Sequence, residues 1–421
     1  MIGISKLYMG QIESSDAMRY GRDSARLPSH LLQFSKDKKP VVIWNITKKC
    51  NLNCQHCYTA TSTSFEHELS LKEGRKLIDD LSTFACPVII FTGGEPLLRP
   101  DLPELAEYAV SKGIRAVIST NGTLICKETA EKFKKIGISY IGISVDGLRE
   151  VHDRFRGHQG AFDDTMDGIR CCTNAGLKVG LRFTVCRKNA GEVTSIFKLL
   201  RDEAIPRICI YHLVYTGRAT KLAEEDLDHE ETRTLVDTII NETISLHSSG
   251  LKTEVITVDN HCDGPYLYLK MLGEGNPRAP KVLDLLHMNG GNSSGLGVAC
   301  ISWNGNVHPD QFWRNKVLGN VRDKSFGEIW TDKNNKFLMQ LKEKKKHITG
   351  RCSKCRFLDI CGGNFRARAE AVTGDAWASD PACYLSDEEI YEYPERSSKA
   401  ATNFITTEHT EYTEKINHET H

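Results

Sequence analysis

The chain has 421 residues, and its 55 lysines and arginines are balanced by 55 aspartates and glutamates, so the formal net charge at pH 7 is zero. This balance argues against a nucleic-acid-binding protein, which would carry a basic excess or a basic stripe. We find no run of about 18 apolar residues and no signal peptide, so we expect a cytoplasmic protein without a membrane partner.

Short apolar strands alternate with helices through the first part of the chain. We predict strands at 41–46, 88–91, 116–119, 140–144, 179–185 and 208–211, and helices at 70–85, 103–112, 128–135, 162–174 and 193–202. Nearly continuous apolar strands separated by helices are typical of a parallel sheet covered by helices. Six such units are too few to close an eight-stranded barrel. The sequence therefore predicts an α/β fold with a partial (β/α)6 TIM-like barrel and a smaller C-terminal domain, whose cysteines are described below.

The length exceeds what one core usually supports, so we expect more than one region. The predicted regions are an N-terminal arm at 1–38, the barrel at 39–250, a bridging region with a cysteine-bearing domain at 251–394, and a tail at 395–421. A helix near 232–249 is expected to lead out of the barrel, and the irregular segment 259–292 to cover its mouth. The polar, repetitive tail is expected to be disordered.

Three of the 15 cysteines lie close together after the first strand: Cys50, Cys54 and Cys57. In a cytosolic protein, clustered cysteines usually indicate metal binding or catalysis. A [4Fe–4S] cluster normally takes four cysteine thiolates, so three would leave one iron open to a ligand that is not protein. The alternatives are three structural cysteines or a zinc loop, although zinc would need a fourth ligand nearby.

Polar and glycine-rich motifs end the next three strands, where α/β sheets bind ligands. The second strand ends in Gly93-Gly94-Glu95-Pro96, whose glycines allow close approach and whose carboxylate can accept hydrogen bonds from an ammonium group. Ser119 and Asn121 end the third strand and Ser144 the fourth. Their short side chains suit ribose hydroxyls, although capping of the following helix explains them equally well.

Four more cysteines form a second set near the C-terminus: Cys352, Cys355, Cys361 and Cys383. Four thiolates make a complete ligand set for a metal site, with a zinc knuckle as one alternative. The eight remaining cysteines mostly lie inside apolar patterns, where cysteine behaves as a small buried hydrophobe.

The three-cysteine loop and the strand-end motifs together resemble the radical S-adenosylmethionine (SAM) superfamily. The resemblance implies a [4Fe–4S] cluster on Cys50, Cys54 and Cys57 whose open iron binds SAM. Reductive cleavage of SAM then gives a 5′-deoxyadenosyl radical, with ferredoxin or flavodoxin as the electron donor. Arg156 would pair with a carboxylate, unless it forms a surface salt bridge. The implied SAM-binding residues are Tyr58, Gly93, Gly94, Glu95, Pro96, Ser119, Asn121, Ser144 and Arg156; Tyr58 would pack on adenine or cover the cluster.

The C-terminal part resembles the SPASM-like extension of radical SAM families that carry auxiliary iron–sulfur clusters, which in its two-cluster form uses seven cysteines. This chain departs from that pattern at two positions. Asp310 stands five residues after Gly305, and Phe365 stands four residues after Cys361, where the pattern has cysteines. We therefore predict one auxiliary [4Fe–4S] cluster on Cys352, Cys355, Cys361 and Cys383, with Cys300 as an alternative ligand.

Residues 212–218 and 290–314 resemble a tetrapyrrole-modifying subgroup. The resemblance implies an enzyme of haem biosynthesis that removes acetate side chains from 12,18-didecarboxysiroheme to give Fe-coproporphyrin III. Cationic groups would bind the carboxylates of this iron tetrapyrrole, and a histidine would ligate its iron. The tentative substrate residues are His212, Arg218, His308 and Arg314.

Three other functions are kept as alternatives. The nearest is a related tetrapyrrole enzyme, acting in haem d1 biosynthesis or on Fe-coproporphyrin propionates. The next is a peptide-modifying maturase, against which the Gly305 and Asp310 pair is a mild counter-signal. The third is a non-enzymatic interaction protein that binds zinc through both cysteine sets.

Overall fold

A computed structural model of the chain describes residues 1–11, 39–60 and 67–391. Met1–Leu385 form one unit, and a second unit begins at Ser386, of which the helix Asp387–Tyr391 is described. The expected tail at 395–421 and most of the expected arm at 1–38 lie outside the described residues. The domain boundaries at 250 and 394 stay predictions.

A largely parallel sheet forms the centre of the fold. Its strands are β1 (Ile2–Gly3), β2 (Val41–Thr47), β3 (Val88–Gly93), β4 (Arg115–Thr120), β5 (Tyr140–Ser144), β6 (Val179–Val185), β7 (Arg207–His212), β8 (Glu254–Val258), β9 (Val298–Ile301), β10 (Asn306–His308) and β11 (Gly319–Asn320). Their spatial order is β1-β8-β7-β6-β5-β4-β3-β2-β9-β10-β11. All neighbours from β8 to β9 are parallel. Strands β1, β10 and β11 pair antiparallel at the two ends.

Helices connect the parallel strands and continue into the C-terminal region. They are α1 (Leu71–Thr83), α2 (Leu102–Ser111), α3 (Lys127–Ile136), α4 (Arg149–Arg156), α5 (Ala161–Asn174), α6 (Val193–Asp202), α7 (His229–Ser248), α8 (Asp263–Gly273), α9 (Ala279–Asn289), α10 (Phe326–Thr331), α11 (Lys336–Lys342), α12 (Gly350–Ser353), α13 (Leu358–Cys361), α14 (Arg366–Thr373) and α15 (Asp387–Tyr391). In the described ranges, none of these helices combines the length and the apolar character needed to cross a bilayer.

The predicted α/β class and its six successive strands, now β2 to β7, are confirmed. The parallel sheet is longer than expected, since β8 pairs with β7 and β9 pairs with β2 on the other side. Helix α7 was expected to lead out of the barrel, but it connects β7 to β8 within the same sheet. The segment expected to be irregular contains two regular helices, α8 and α9.

Helix α1 shows how local sequence fixes these connections. Ser70 Oγ accepts a hydrogen bond from the Glu73 amide, and the Glu73 carboxylate accepts one from the Ser70 amide at 2.8 Å. This capping box satisfies backbone donors that the first turn would leave unpaired. Leu77, Ile78 and Leu81 form the buried face of the helix. The box starts the helix where it was predicted, and the apolar face holds it on the sheet.

Two glycines make room for large side chains inside the barrel. A Cβ atom at Gly180 would lie 2.2 Å from the Tyr140 hydroxyl, and one at Gly142 would lie 2.7 Å from Arg182 Nε. Both contacts are too close for any residue with a side chain. Tyr140 and Arg182 therefore occupy the space that neighbouring strands leave free.

Candidate active site

A cavity of about 410 Å³ lies inside the barrel, a volume typical of small-molecule sites. Residues near the starts of strands line one part of it, among them Arg115 and Arg207. The loops after β2, β3 and β4 line the other part, together with residues 291–294 and 310–312. The strand-end motifs predicted to bind ligands therefore meet at one cavity.

The loop that follows β2 brings Cys50, Cys54 and Cys57 to this cavity, and none of the three forms a disulfide. Two backbone hydrogen bonds fix the loop on the end of α4: the Asn53 amide donates to Arg156 O at 3.1 Å, and the Gln55 amide donates to Phe155 O at 3.0 Å. Burial, with the neighbouring Cys54, Glu95 and Cys57 adding to it, raises the pKa of Cys50 to about 12. The Cys50 thiol is thus held protonated until something that prefers thiolates binds it.

Arg156 lies behind this loop in a buried ion pair. Its Nη2 atom is 2.5 Å from Asp146 Oδ2, and the Asp146 side chain is fully buried. Its Nη1 atom donates to Cys54 Sγ at 3.6 Å. The alternative of a surface salt bridge is therefore wrong: the guanidinium lines the cavity and supports one of the three sulfurs.

Only part of the Gly93-Gly94-Glu95-Pro96 motif lines the cavity, namely its two glycines. The Glu95 carboxylate accepts hydrogen bonds from Thr120 Oγ1 at 2.6 Å, from the Asn121 amide at 2.8 Å and from the Leu97 amide at 3.1 Å. The structure therefore uses this carboxylate to join the β3 and β4 ends, which does not support the expectation that it accepts from an ammonium group. A Cβ atom at Gly94 would lie 1.9 Å from Lys49 O, so the glycine lets the cysteine loop pack against the strand end.

The predicted ribose-binding residues Ser119, Asn121 and Ser144 all line the cavity. Asn121 Nδ2 donates to Asn51 Oδ1 at 2.9 Å, which connects the end of β4 to the cysteine loop. Tyr58 also lines the cavity, and its hydroxyl donates to Asn45 Oδ1 at 3.0 Å. The structure thus gathers the polar groups of four successive strand ends around one space.

Sequence reasoning missed Arg182, which β6 places inside the barrel. Its Nη1 atom donates to Ser119 Oγ at 2.6 Å, and its guanidinium lies 5.6 Å from the centre of the Tyr211 ring. Among the described residues, no carboxylate pairs with it and its buried Nε atom has no hydrogen-bond partner. A detectable signal existed, because Arg182 is the one charged residue in the strand sequence Val-Gly-Leu-Arg-Phe-Thr-Val.

The four tentative substrate residues divide into two pairs. His212 and Arg218 line the cavity, where His212 Nε2 contacts Asp263 Oδ2 at 2.9 Å and Arg218 Nε donates to Cys54 O at 2.8 Å. His308 and Arg314 are not in its lining. Both ring nitrogens of His308 are already bonded, to Ser302 Oγ at 2.8 Å and to Lys316 O at 3.0 Å. The Arg314 guanidinium lies over the Trp303 ring at 4.5 Å.

The second cysteine set also comes together in space. Burial raises the pKa of Cys361 well above its usual value, and the neighbouring Cys383, Cys352 and Cys355 thiols raise it further. A fifth cysteine, Cys262, was overlooked; it lies beside Cys383, and its hydrogen bond lowers the pKa of Cys383 to about 7. Cys300, the alternative ligand, lies elsewhere, since its Sγ accepts from Asn45 Nδ2 at 3.2 Å.

Comparison with known proteins agrees with this geometry. Residues 44–217 match the Radical SAM superfamily, and residues 294–356 match an iron–sulfur cluster-binding domain, SPASM. The Fe-coproporphyrin III synthase of Methanosarcina barkeri is 59% identical over 93% of this chain and 100% of its own length. The chain belongs to the radical SAM superfamily. The pre-heme d1 synthase of Dinoroseobacter shibae is 41% identical over 83% of this chain and 87% of its own.

Solved structures of radical SAM proteins share the fold. Streptococcus suis SuiB bound to S-adenosylmethionine has a TM-score of 0.66 at 18% identity, covering 86% of this chain and 82% of its own. Native anSMEcpe with bound AdoMet has a TM-score of 0.63 at 18% identity, covering 82% and 93%. At this identity the likeness concerns the fold alone.

Both cysteine sets of this radical SAM protein fit iron–sulfur clusters. In the described part of the chain, no three His, Cys, Asp or Glu side chains are grouped so that they could hold a single metal ion. Thiolates that each bind a different iron of one cluster stand farther apart than ligands that share one ion. Iron–sulfur clusters therefore suit these sites better than zinc. The supporting features are the all-cysteine ligand sets, the spacing of their thiols and the hydrogen bond from Arg156 to Cys54.

Proposed function

We propose that this enzyme removes the acetate side chains of 12,18-didecarboxysiroheme and forms Fe-coproporphyrin III in haem biosynthesis. The observation that carries the proposal is the high identity, over nearly the whole chain, to a relative named Fe-coproporphyrin III synthase. Three cysteines that form no disulfide, at a cavity lined by the strand-end motifs, supply the matching chemistry.

Cys50, Cys54 and Cys57 would hold the [4Fe–4S] cluster that binds SAM, and the second cysteine set would hold the auxiliary cluster. SAM bound at the reduced cluster would supply a 5′-deoxyadenosyl radical for the abstraction of a hydrogen atom from a substrate side chain. The electron is supplied by a ferredoxin or flavodoxin in the cytoplasm. Cys262, whose Sγ donates to Asn260 Oδ1 at 2.9 Å, lies beside Cys383 of this second set.

The remaining residues position SAM and the substrate and exclude water. Gly93 and Gly94 let the cysteine loop approach the strand end, while Ser119, Asn121 and Ser144 offer hydrogen bonds to hydroxyl groups. Arg182 offers a buried cation for a carboxylate. The walls of the barrel keep bulk water from the reacting atoms, which suppresses side reactions.

The test is anaerobic turnover of the reconstituted holoenzyme with SAM, reductant and 12,18-didecarboxysiroheme, followed by mass spectrometry. We expect 5′-deoxyadenosine and a product that has lost both acetate groups. Cys50→Ala should abolish both products. The matched control is Cys126→Ser, since Cys126 is exposed and lies outside both sets.

The outcomes separate the rival functions. A macrocycle product of a different mass would favour a related tetrapyrrole activity, such as that of the pre-heme d1 synthase relative. Formation of 5′-deoxyadenosine with an intact macrocycle would exclude this substrate but keep the enzyme class. A preparation with zinc and no iron would contradict the class itself.

A further inference from the structure

Three aromatic side chains form one continuous wall of the cavity: Tyr58, Phe312 and Phe365. The ring centres of Tyr58 and Phe312 are 5.4 Å apart at 61°, and those of Phe312 and Phe365 are 5.4 Å apart at 84°. Such edge-to-face contacts are favourable for aromatic pairs. The rings come from segments distant in sequence, so only the fold creates this wall.

The Asp310 carboxylate holds the middle of the wall. Its Oδ1 atom accepts from the Phe312 amide at 2.8 Å and from the Trp313 amide at 3.0 Å, and its Oδ2 atom accepts from Ser294 Oγ. Asp310 itself is buried. These bonds fix the turn that carries Phe312, so its ring is held in place before any ligand binds.

A buried ion pair fixes the far end of the wall. The Phe365 amide donates to Asp380 Oδ2 at 2.8 Å, and Arg368 pairs with the same carboxylate at 2.8 Å, both side chains being fully buried. Arg368 Nη1 also donates to Leu213 O at 3.0 Å, which ties this end to the exit of β7. A ring anchored in this way loses little conformational entropy when a ligand packs on it.

The two ends of the wall lie close in sequence to the two cysteine sets. Tyr58 directly follows Cys57 in the chain, and Phe365 comes four residues after Cys361. Polar side chains, including Arg218, Asn292 and Ser293, line the cavity as well. An extended apolar surface with a few polar groups beside it is the usual composition of a site for a large aromatic ligand.

We infer that this aromatic wall is the surface on which the flat macrocycle of the substrate rests, an inference that depends on the proposed function. The rings contact the macrocycle, and the neighbouring polar groups face its carboxylates. Asp310 and Phe365 are also the two positions where the chain departs from the seven-cysteine pattern. Phe365 of the wall therefore stands where that pattern would place a sulfur ligand, and Asp310 instead holds the turn that carries Phe312.

The test measures binding of 12,18-didecarboxysiroheme to the reconstituted holoenzyme by its absorbance change, together with KM and kcat. We expect Phe312→Leu to weaken binding about tenfold and to raise KM more than it lowers kcat, because the ring contact is lost. Phe312→Tyr, which keeps the ring, should restore binding. Phe365→Leu should weaken binding in the same way.

Phe337→Leu is the matched control. Phe337 packs on Trp313 at 5.0 Å in the same region but lies outside the cavity lining, so this variant should bind the macrocycle as the wild type does. Iron content and SAM affinity should be unchanged in all variants. Since Phe312 is only partly buried, its variant tests the wall even if Phe365→Leu fails to fold.

Three results would overturn the inference. Wild-type binding in a folded Phe312→Leu variant would show that the ring does not contact the macrocycle. Loss of SAM affinity without loss of macrocycle binding would assign the wall to SAM. If the wild type does not bind 12,18-didecarboxysiroheme at all, the proposed function fails and the inference fails with it; if only the variants behave as wild type, the inference alone fails.

Discussion

Arg156 and Asp146 form a buried ion pair directly behind the three-cysteine loop, with Nη2 and Oδ2 separated by 2.5 Å. The same guanidinium donates to Cys54 Sγ at 3.6 Å. The pair therefore connects the end of β5 to the loop that would hold the radical-generating cluster. Its integrity should matter both to stability and to cluster assembly.

We expect Arg156→Gln to destabilise the protein by about 3 to 5 kcal/mol, because the buried Asp146 carboxylate would lose its cation. The variant should also lose iron from the first cluster. Chemical denaturation and iron analysis measure the two effects. The control is Arg149→Gln on the same helix; the ion pair of Arg149 with Asp163 is exposed, so its loss should cost under about 1 kcal/mol.

Gly94→Ala should disrupt the cysteine loop, since the new Cβ would lie 1.9 Å from Lys49 O. We expect assembly of the second cluster to persist while the first is lost, so that 5′-deoxyadenosine formation disappears. Iron content and electron paramagnetic resonance would show this. Gly191→Ala serves as the control, since nothing lies within 4 Å of its added Cβ. An intact first cluster in Gly94→Ala would contradict the close approach.

Arg182→Met should stabilise the ligand-free protein or leave it unchanged, since an unpaired buried charge would be replaced by an apolar side chain. Turnover should nevertheless be lost, because the carboxylate of a bound ligand would lose the cation that Arg182 offers it. Arg207→Met is the matched variant in the same barrel. Its guanidinium pairs with Glu254 at 3.1 Å, so this variant should be destabilised. Melting temperatures compare the two, and a destabilised Arg182→Met would point to a purely structural role.

Asp259 lines the cavity, and burial raises its pKa to about 7. The folded state therefore holds a proton more tightly than the unfolded state, so this carboxyl group makes stability fall as pH rises from about 4 to about 7. Asp259→Asn should match the wild type near pH 4 and exceed its free energy of unfolding above pH 7, by at most about 4 kcal/mol.

Denaturation at several pH values measures this difference. The comparison with the wild type is needed because a second buried group also makes stability depend on pH. Burial lowers the pKa of His261, so this group lowers the free energy of unfolding as pH falls below about 6.5. Asp163→Asn, which removes an exposed carboxylate outside the cavity, is the control for the charge change itself. A constant difference between Asp259→Asn and wild type across this range would contradict the raised pKa.

The repeated order of strands and helices could be predicted from the sequence because helices cover the parallel sheet, so that its buried strands are nearly continuous apolar runs. The prediction stopped at six strands because it assigned no element to 254–258, where β8 lies. Helix α7 was recognised by its pattern, but pattern alone does not say to which strand a helix returns. The pairing of β9 with β2 joins residues far apart in the chain, which no local signal shows.

Single residues show the same difference between what a local pattern predicts and what long-range contacts decide. The spacing of Cys50, Cys54 and Cys57 indicated the chemistry by itself, because ligand number and spacing are local properties. Glu95 was assigned correctly to a strand end, yet the donors that occupy its carboxylate come from another strand. His308 is a residue type that can ligate iron, but the fold gives both of its ring nitrogens a hydrogen bond, and its side chain is not in the cavity lining.

The sequence by itself determined the class of the fold, the two cysteine sets and the strand ends that face the cavity, because these follow from short-range patterns. Only the tertiary structure decided which charges are paired and which are not. Arg156 has a carboxylate partner, whereas Arg182 has none within the described part of the chain. Burial removes the water that would otherwise satisfy any charge, so the partners of a buried charge depend on which strands become neighbours. The aromatic wall arises in the same way, from three distant segments that meet only when the sheet closes around the cavity.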